Sequence, residues 1–270
     1  MLGAAARVHV PDGTSRHRIA GIGAEGADVI EVTGSYDDAV AAASESIVDG
    51  EILIQDTAFE GYETIPGWIV EGYSTLLQEI DPALGETGEK WPACVIVQIG
   101  VGSLADAVVR HCRGNDDTGM PFLVGVEPDD AACALAAVRQ RAIVRLPGPH
   151  TSIMAGLNCG MISSVSFPVL RDGMDCFLTV DDDRARDAVR LLAENGITAG
   201  ETGAAVLAGL VELLQQPHPP GPATAQNRQD LSALVIVTEG ATDPESYEHI
   251  VGRMPGTFPD TDSPLMRGLL

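Results

Sequence analysis

The chain has 270 residues, 45% hydrophobic and 20% charged, with a formal net charge of −23. That charge excludes nucleic acid and anionic membrane surfaces as expected partners, because both need a basic footprint. Aromatics make up only 4% of the chain, so its core must be built from Ala, Val, Leu and Ile, a composition suited to helices packed on strands.

A short strand is predicted over 6–11, followed by a turn over 11–14 in which Thr14 or Ser15 caps a helix running to about Ala24. A second strand over 28–32, an Ala-rich helix over 36–46 and a third strand over 52–55 follow. Helix-spaced apolar residues occupy 60–80, and the Gly- and acid-rich stretch 81–91 reads as a loop. The apolar run 94–99 reads as a strand buried on both faces of a parallel sheet. Beyond a glycine turn and its helix come a strand over 122–126, helices over 131–140, 185–195 and 203–215, a stiff Pro-rich connector over 217–222 and a last buried strand over 234–237. The tail after Met254 reads as loosely ordered. This strand–helix alternation predicts an α/β fold with parallel or mixed sheets covered by helices on both faces.

The five cysteines (Cys94, Cys112, Cys133, Cys159, Cys176) are widely spaced and form no C-x-x-C. They read as buried free thiols of a reducing cytoplasm, with no zinc or redox motif among them. The opening residues show no basic and apolar leader pattern, and no apolar run approaches the roughly 18 residues of a membrane span.

Gln98-Ile99-Gly100-Val101-Gly102-Ser103 leaves a buried strand and opens a helix. Glycines permit a tight turn close to an anion, and the helix start offers unpaired N–H groups and the positive end of the dipole. The same turn also serves plain helix–sheet packing, so both readings stand at this point. Ala105 occupies the third glycine position of the dinucleotide fingerprint, and no Lys follows as in a P-loop, so a nucleotide-binding oxidoreductase is disfavoured.

Four further strings flank that turn in order: Asp56-Thr57-Ala58-Phe59-Glu60-Gly61-Tyr62, Thr151-Ser152-Ile153-Met154-Ala155-Gly156-Leu157-Asn158-Cys159-Gly160, Gly200-Glu201-Thr202-Gly203-Ala204, and Thr238-Glu239-Gly240-Ala241-Thr242-Asp243-Pro244. Together they resemble the diaminopropionate ammonia-lyase family over about residues 6–252. The resemblance implies a fold-type-II pyridoxal-phosphate (PLP) enzyme of the tryptophan synthase β-like superfamily. It divides the chain into the remainder of a small α/β domain (1–55) and a large PLP-binding α/β domain (56–270). It puts the cofactor phosphate on Gly100, Val101, Gly102 and Ser103, the pyridine nitrogen beside Thr238, and Glu201 on a cofactor-side turn where Thr202 replaces the family's Ser. Asp56 becomes a catalytic base for β-elimination of a small amino acid, 2,3-diaminopropionate to pyruvate and ammonia, in a cytoplasmic homodimer. Each residue also has a plain structural role open to it: Asp56 as a turn former, Thr238 as a strand residue, Glu201 as a helix-dipole partner.

The chain departs from the family in one respect. Its only lysine is Lys90, whereas the family's Schiff-base lysine and its Gly-Asn-His-Gly turn fall ahead of the region matching Met1. The expectation is therefore a fold incomplete at its N-terminus and inactive as it stands, prone to poor solubility or self-association. Serine/threonine dehydratase chemistry and a non-catalytic protein binding a phosphate-bearing ligand are the alternatives, with recruitment of Lys90 as a further one.

Overall fold

The computed structural model describes residues 4–223 and 231–256. The first sheet is small. Strand β1 (Arg7–Pro11) pairs in parallel with β2 (Asp28–Val32) across helix α1 (Arg16–Ala24). Helix α2 (Tyr36–Glu45) packs beside them and opens with a capping box, in which Ser35 and Asp38 satisfy each other's backbone N–H.

A 24-residue helix, α3 (Thr64–Thr87), leads to the main sheet. The rest of the chain runs β3 (Cys94–Gln98), α4 (Ser103–Gly114), β4 (Phe122–Pro128), α5 (Cys133–Gln140), α6 (Phe167–Gly173), β5 (Cys176–Val180), α7 (Asp182–Glu194), α8 (Glu201–Gln215), β6 (Ala233–Val235) and α9 (Pro244–Val251). The four strands are parallel in the order β5-β4-β3-β6. Alternation along β3 divides the core in two. Cys94 and Ile96 face a cluster with α7, α8 and α9, while Val95 and Val97 face a second cluster with α3, α4, α5 and α6. Every residue of β3 is buried, as its unbroken apolar run predicts.

Three predicted elements need correction. The stretch 52–55 is no strand, and Ile52 and Ile54 are 74% and 73% exposed. Its backbone is satisfied by a side chain instead of a ladder: the Tyr62 hydroxyl donates to the Leu53 carbonyl (2.9 Å) and accepts from the Gln55 amide (3.1 Å). The predicted loop 81–91 is helical as far as Thr87, with Pro82 inside the helix. Asp81 anchors that last stretch by accepting from Trp91 Nε1 (2.8 Å) beside His111, and Gly88 (φ 71°) ends it. The last strand is partly exposed, because β6 lies at the sheet edge. Strand β5 and helices α6 and α9 add to the predicted set. Residues 257–270 lie outside those described, so the tail expected there is not described.

The two sheets are joined by charge. Arg18 of α1 donates to Glu239 (3.0 Å) and Thr242 (3.1 Å), and Arg145 lies 3.4 Å from Asp38 of α2. Exposed Ile47, Val48, Ile52 and Ile54 follow one another just ahead of Asp56. Apolar groups crowded in this way favour self-association. Replacing Ile52 and Ile54 together with Lys is expected to raise the monomer fraction of the expressed chain in size-exclusion chromatography. An unchanged elution profile contradicts that role for the patch.

Candidate active site

The carboxyl edge of the main sheet gathers most of the polar chemistry. In open α/β sheets this edge is where ligands sit. The turn Gly100–Ser103 leaves β3 here and opens the 12-residue helix α4, whose first-turn amides have no intrahelical acceptor. Gly102 has φ 104°, and a Cβ there would lie 3.1 Å from Ser166 Cβ. Only glycine allows both the left-handed turn and this approach. Val101, Gly102 and Ser103 are buried beneath the segment 159–170. The first-turn amides of α4 are the donors this edge offers.

Asp56 is tied to this turn through its backbone. Its carbonyl accepts from Ser103 Oγ (3.4 Å) and Ser163 Oγ (3.3 Å), and Ser163 Oγ accepts from the Ala58 amide (2.9 Å). The Asp56 carboxylate accepts from the Tyr36 hydroxyl (3.1 Å) at the start of α2. Burial raises the carboxyl of Asp56 above the ordinary aspartate range, and the Tyr36 hydroxyl pulls in the opposite direction. Tyr36 is pushed well up, first by burial and then by the negative charge of Asp56.

Thr238 lies beyond β6 and is exposed. Its hydroxyl accepts from Gln98 Nε2, and the buried Gln98 Oε1 has no partner among the described residues. An orphan acceptor beside free helix amides gives this edge both donors and an acceptor for a ligand. Glu201, by contrast, is buried and accepts from Ser246 of α9. Its neighbours reach the edge: Thr202 Oγ1 accepts from the Gly156 amide (3.1 Å), and the Gly200 amide donates to the Glu239 carbonyl (3.0 Å). A Cβ at Gly203 would sit 2.5 Å from the Glu239 carbonyl oxygen, so glycine lets the 238–240 segment cross the start of α8.

The expected site residues thus divide. Asp56, Gly100, Val101, Gly102 and Ser103 come together directly, Thr238 joins through Gln98, and the Glu201 carboxylate is committed to α9. Sequence reasoning missed Tyr36, Ser163 and Gln98. Gln98 was visible as the one polar residue of the run CVIVQ. Tyr36 and Ser163 carry no local signal, since distant contacts make their roles. Lys90 is exposed and precedes β3 by four residues, at the end of the sheet opposite the turn.

Residues 1–225 match the sequence profile of the pyridoxal-phosphate dependent enzymes. The chain belongs to that family. It is 37% identical to diaminopropionate ammonia-lyase of Salmonella typhimurium, over 93% of this chain and 64% of that protein. The solved diaminopropionate ammonia-lyase of Escherichia coli, holding an aminoacrylate–PLP azomethine reaction intermediate, superposes with a TM-score of 0.80 at 31% identity, covering 93% of this chain and 65% of that one. An L-serine ammonia-lyase from Rhizomucor miehei shares the fold, with a TM-score of 0.73 at 21% identity. The chain thus has the fold-type-II architecture and spans 64% of the length of the curated relatives it matches. The phosphate of the family's cofactor fits the turn: the first-turn amides of α4 have no intrahelical acceptor and lie at the positive end of its dipole.

Two predictions follow from this geometry. Gly102→Ala is expected to cost about 1–3 kcal/mol in urea denaturation, from left-handed strain and the Ser166 contact. Gly114→Ala, with open space around its Cβ, is expected to stay within about 0.5 kcal/mol; equal losses at the two positions contradict the assignment. Removing the hydroxyl in Tyr36→Phe is expected to move the Asp56 carboxyl titration, followed by carbon NMR, to still higher pH. A downward shift overturns the pairing.

Proposed function

We propose that this chain carries the phosphate cradle and the proton-accepting carboxylate of a PLP-dependent ammonia-lyase acting on 2,3-diaminopropionate by β-elimination. The observation that supports this best is the hydrogen-bonded convergence of Asp56, Ser103 and the Gly100–Gly102 turn at one sheet edge. In this reading the amides of Gly102 and Ser103 hold the phosphate, the Ser103 hydroxyl ties the turn to the Asp56 carbonyl, and Gly100 and Val101 shape the turn. Thr238, steadied by Gln98, flanks the pyridine nitrogen with a neutral hydroxyl. Glu201 fixes the α8–α9 joint that carries the 238–240 segment. When bound, PLP supplies an electron sink for the pair left by the departing α-proton.

Asp56 accepts that proton. Burial makes its carboxylate a stronger base, and Tyr36 holds it in place. The β-amino group leaves as one ammonia, and water hydrolyses the released α-enamine to pyruvate and a second ammonia. The same reading assigns residues 1–55 to a smaller domain and 56–270 to the cofactor domain of a cytoplasmic homodimer in which the thiols stay free. Among the described residues no helix is long and apolar enough to cross a membrane. A second reading, a non-catalytic protein that binds a phosphate-bearing ligand, is favoured by the place of Lys90 away from the turn.

Pyruvate release tests the proposal. With PLP and 2,3-diaminopropionate, the chain alone is expected to give none. Joined to the portion of the Salmonella relative that has no counterpart here, it is expected to turn over, and Asp56→Asn is expected to slow the joined protein at least about hundredfold. Faster release from serine than from diaminopropionate replaces the substrate assignment with a dehydratase. A joined protein that binds PLP but turns over neither substrate supports the non-catalytic reading.

A further inference from the structure

Glu127 is the one carboxylate in the interior of the main sheet. It sits near the end of β4, fully buried, one residue past Val126, whose carbonyl accepts from the Ile99 amide (2.8 Å) just before the turn. Its two oxygens accept from the Ala134 amide (2.7 Å) and the Leu135 amide (2.9 Å) in the first turn of α5. An ionised carboxylate is a natural partner for these orphan donors. Cys133, the first residue of α5, extends the chain of contacts: its thiol donates to the Gly100 carbonyl (3.4 Å). A buried carboxylate on one strand therefore reaches the first glycine of the turn on the next strand, through one helix start and one thiol.

We propose that Glu127 is a positioning residue for the anion-binding turn, acting through the first turn of α5 and the Cys133 thiol on the carbonyl of Gly100. The inference rests on the reading of that turn as a phosphate cradle and adds a group that holds it in shape. Burial pushes the carboxyl up to about 7, against the opposing pull of the Leu135 and Ala134 amides. The other titratable groups that bear on Cys133 are the Cys159 thiol and Asp37 of α2, and burial pushes both thiols well above their ordinary range. Near neutral pH, then, Glu127 exchanges an acceptor pair for a hydroxyl that can also donate. The linkage sign follows: burial of Glu127 favours the fold fully below the ordinary glutamate range, and that contribution is lost as pH rises through about 7.

The test uses the whole chain under reducing conditions, with backbone amide NMR and sulfate as the probe, since sulfate keeps its charge across pH 5–9. In the unaltered chain the amides of Ala134, Leu135 and Val101, the last reporting on the Gly100 carbonyl, are expected to titrate together with a midpoint at about 7. Glu127→Gln is expected to abolish all three titrations and to weaken sulfate binding at pH 8 about fivefold, the size of one hydrogen bond. Cys133→Ala is expected to silence Val101 while Ala134 and Leu135 still titrate, and Cys133→Ser to restore it; these two variants carry the test if Glu127→Gln does not fold. A Val101 titration that survives Cys133→Ala overturns the proposal, as does sulfate binding that is unchanged or tighter in Glu127→Gln. If no form binds sulfate, the cradle reading fails on its own, and the coupling among the three amides still decides whether Glu127 acts on the turn.

Discussion

The placement of Asp56 beside the turn depends on its own peptide carbonyl. The oxygen of Asp56 is shared by the hydroxyls of Ser103 and Ser163, and that shared contact sets the 52–62 segment against the start of α4. Each side needs the other. The 52–55 backbone has no strand beside it among the described residues and leans on the Tyr62 hydroxyl. The turn after β3 is buried beneath residues that include Ser163, whose amide donates to the Val101 carbonyl (2.9 Å). The Asp56 carboxylate is thus held through its own main chain, leaving the side chain free to accept from Tyr36. This arrangement separates position from charge: the serines fix where Asp56 is, and burial fixes how basic it is.

The sheet shows the same economy. Parallel strands buried on both faces need apolar side chains nearly everywhere, so the polar residues that remain inside are conspicuous. On β3 and β4 these are Gln98 and Glu127, both near the carboxyl ends and both directed to the elements around the turn. Glycine is used in the same economical way: Gly102 admits the turn, and Gly203 admits the crossing segment 238–240.

Much of this fold is legible in the sequence, for identifiable reasons. β3 announces itself because a doubly buried strand must be an unbroken apolar run. The glycine at 102 is legible because its left-handed backbone demand is local, whereas the expected cap at Ser15 makes no side-chain cap hydrogen bond. Failures fall where distant contacts override local preference. The Gly- and acid-rich stretch 81–91 reads as a loop, yet Trp91 and His111 hold Asp81 within a helix that continues to Thr87. Ile52 to Gln55 has strand composition but lacks a partner strand. The neighbourhood of the turn divides in the same way: that Asp56 and the glycine turn meet follows the ordered motifs, whereas the contacts of Tyr36, Ser163 and Glu127 exist only once the chain has folded.

Lys90 lies at the end of the main sheet opposite the turn, and under the proposed function the cradle at Gly102 and Ser103 supplies the main hold on PLP. The direct test compares retention of PLP with retention of pyridoxal, which lacks the phosphate, by equilibrium dialysis, followed by borohydride reduction and mass spectrometry. The account predicts that PLP is retained and pyridoxal is not, with no adduct on Lys90. Equal retention of the two compounds, or a stable adduct on Lys90, would contradict it.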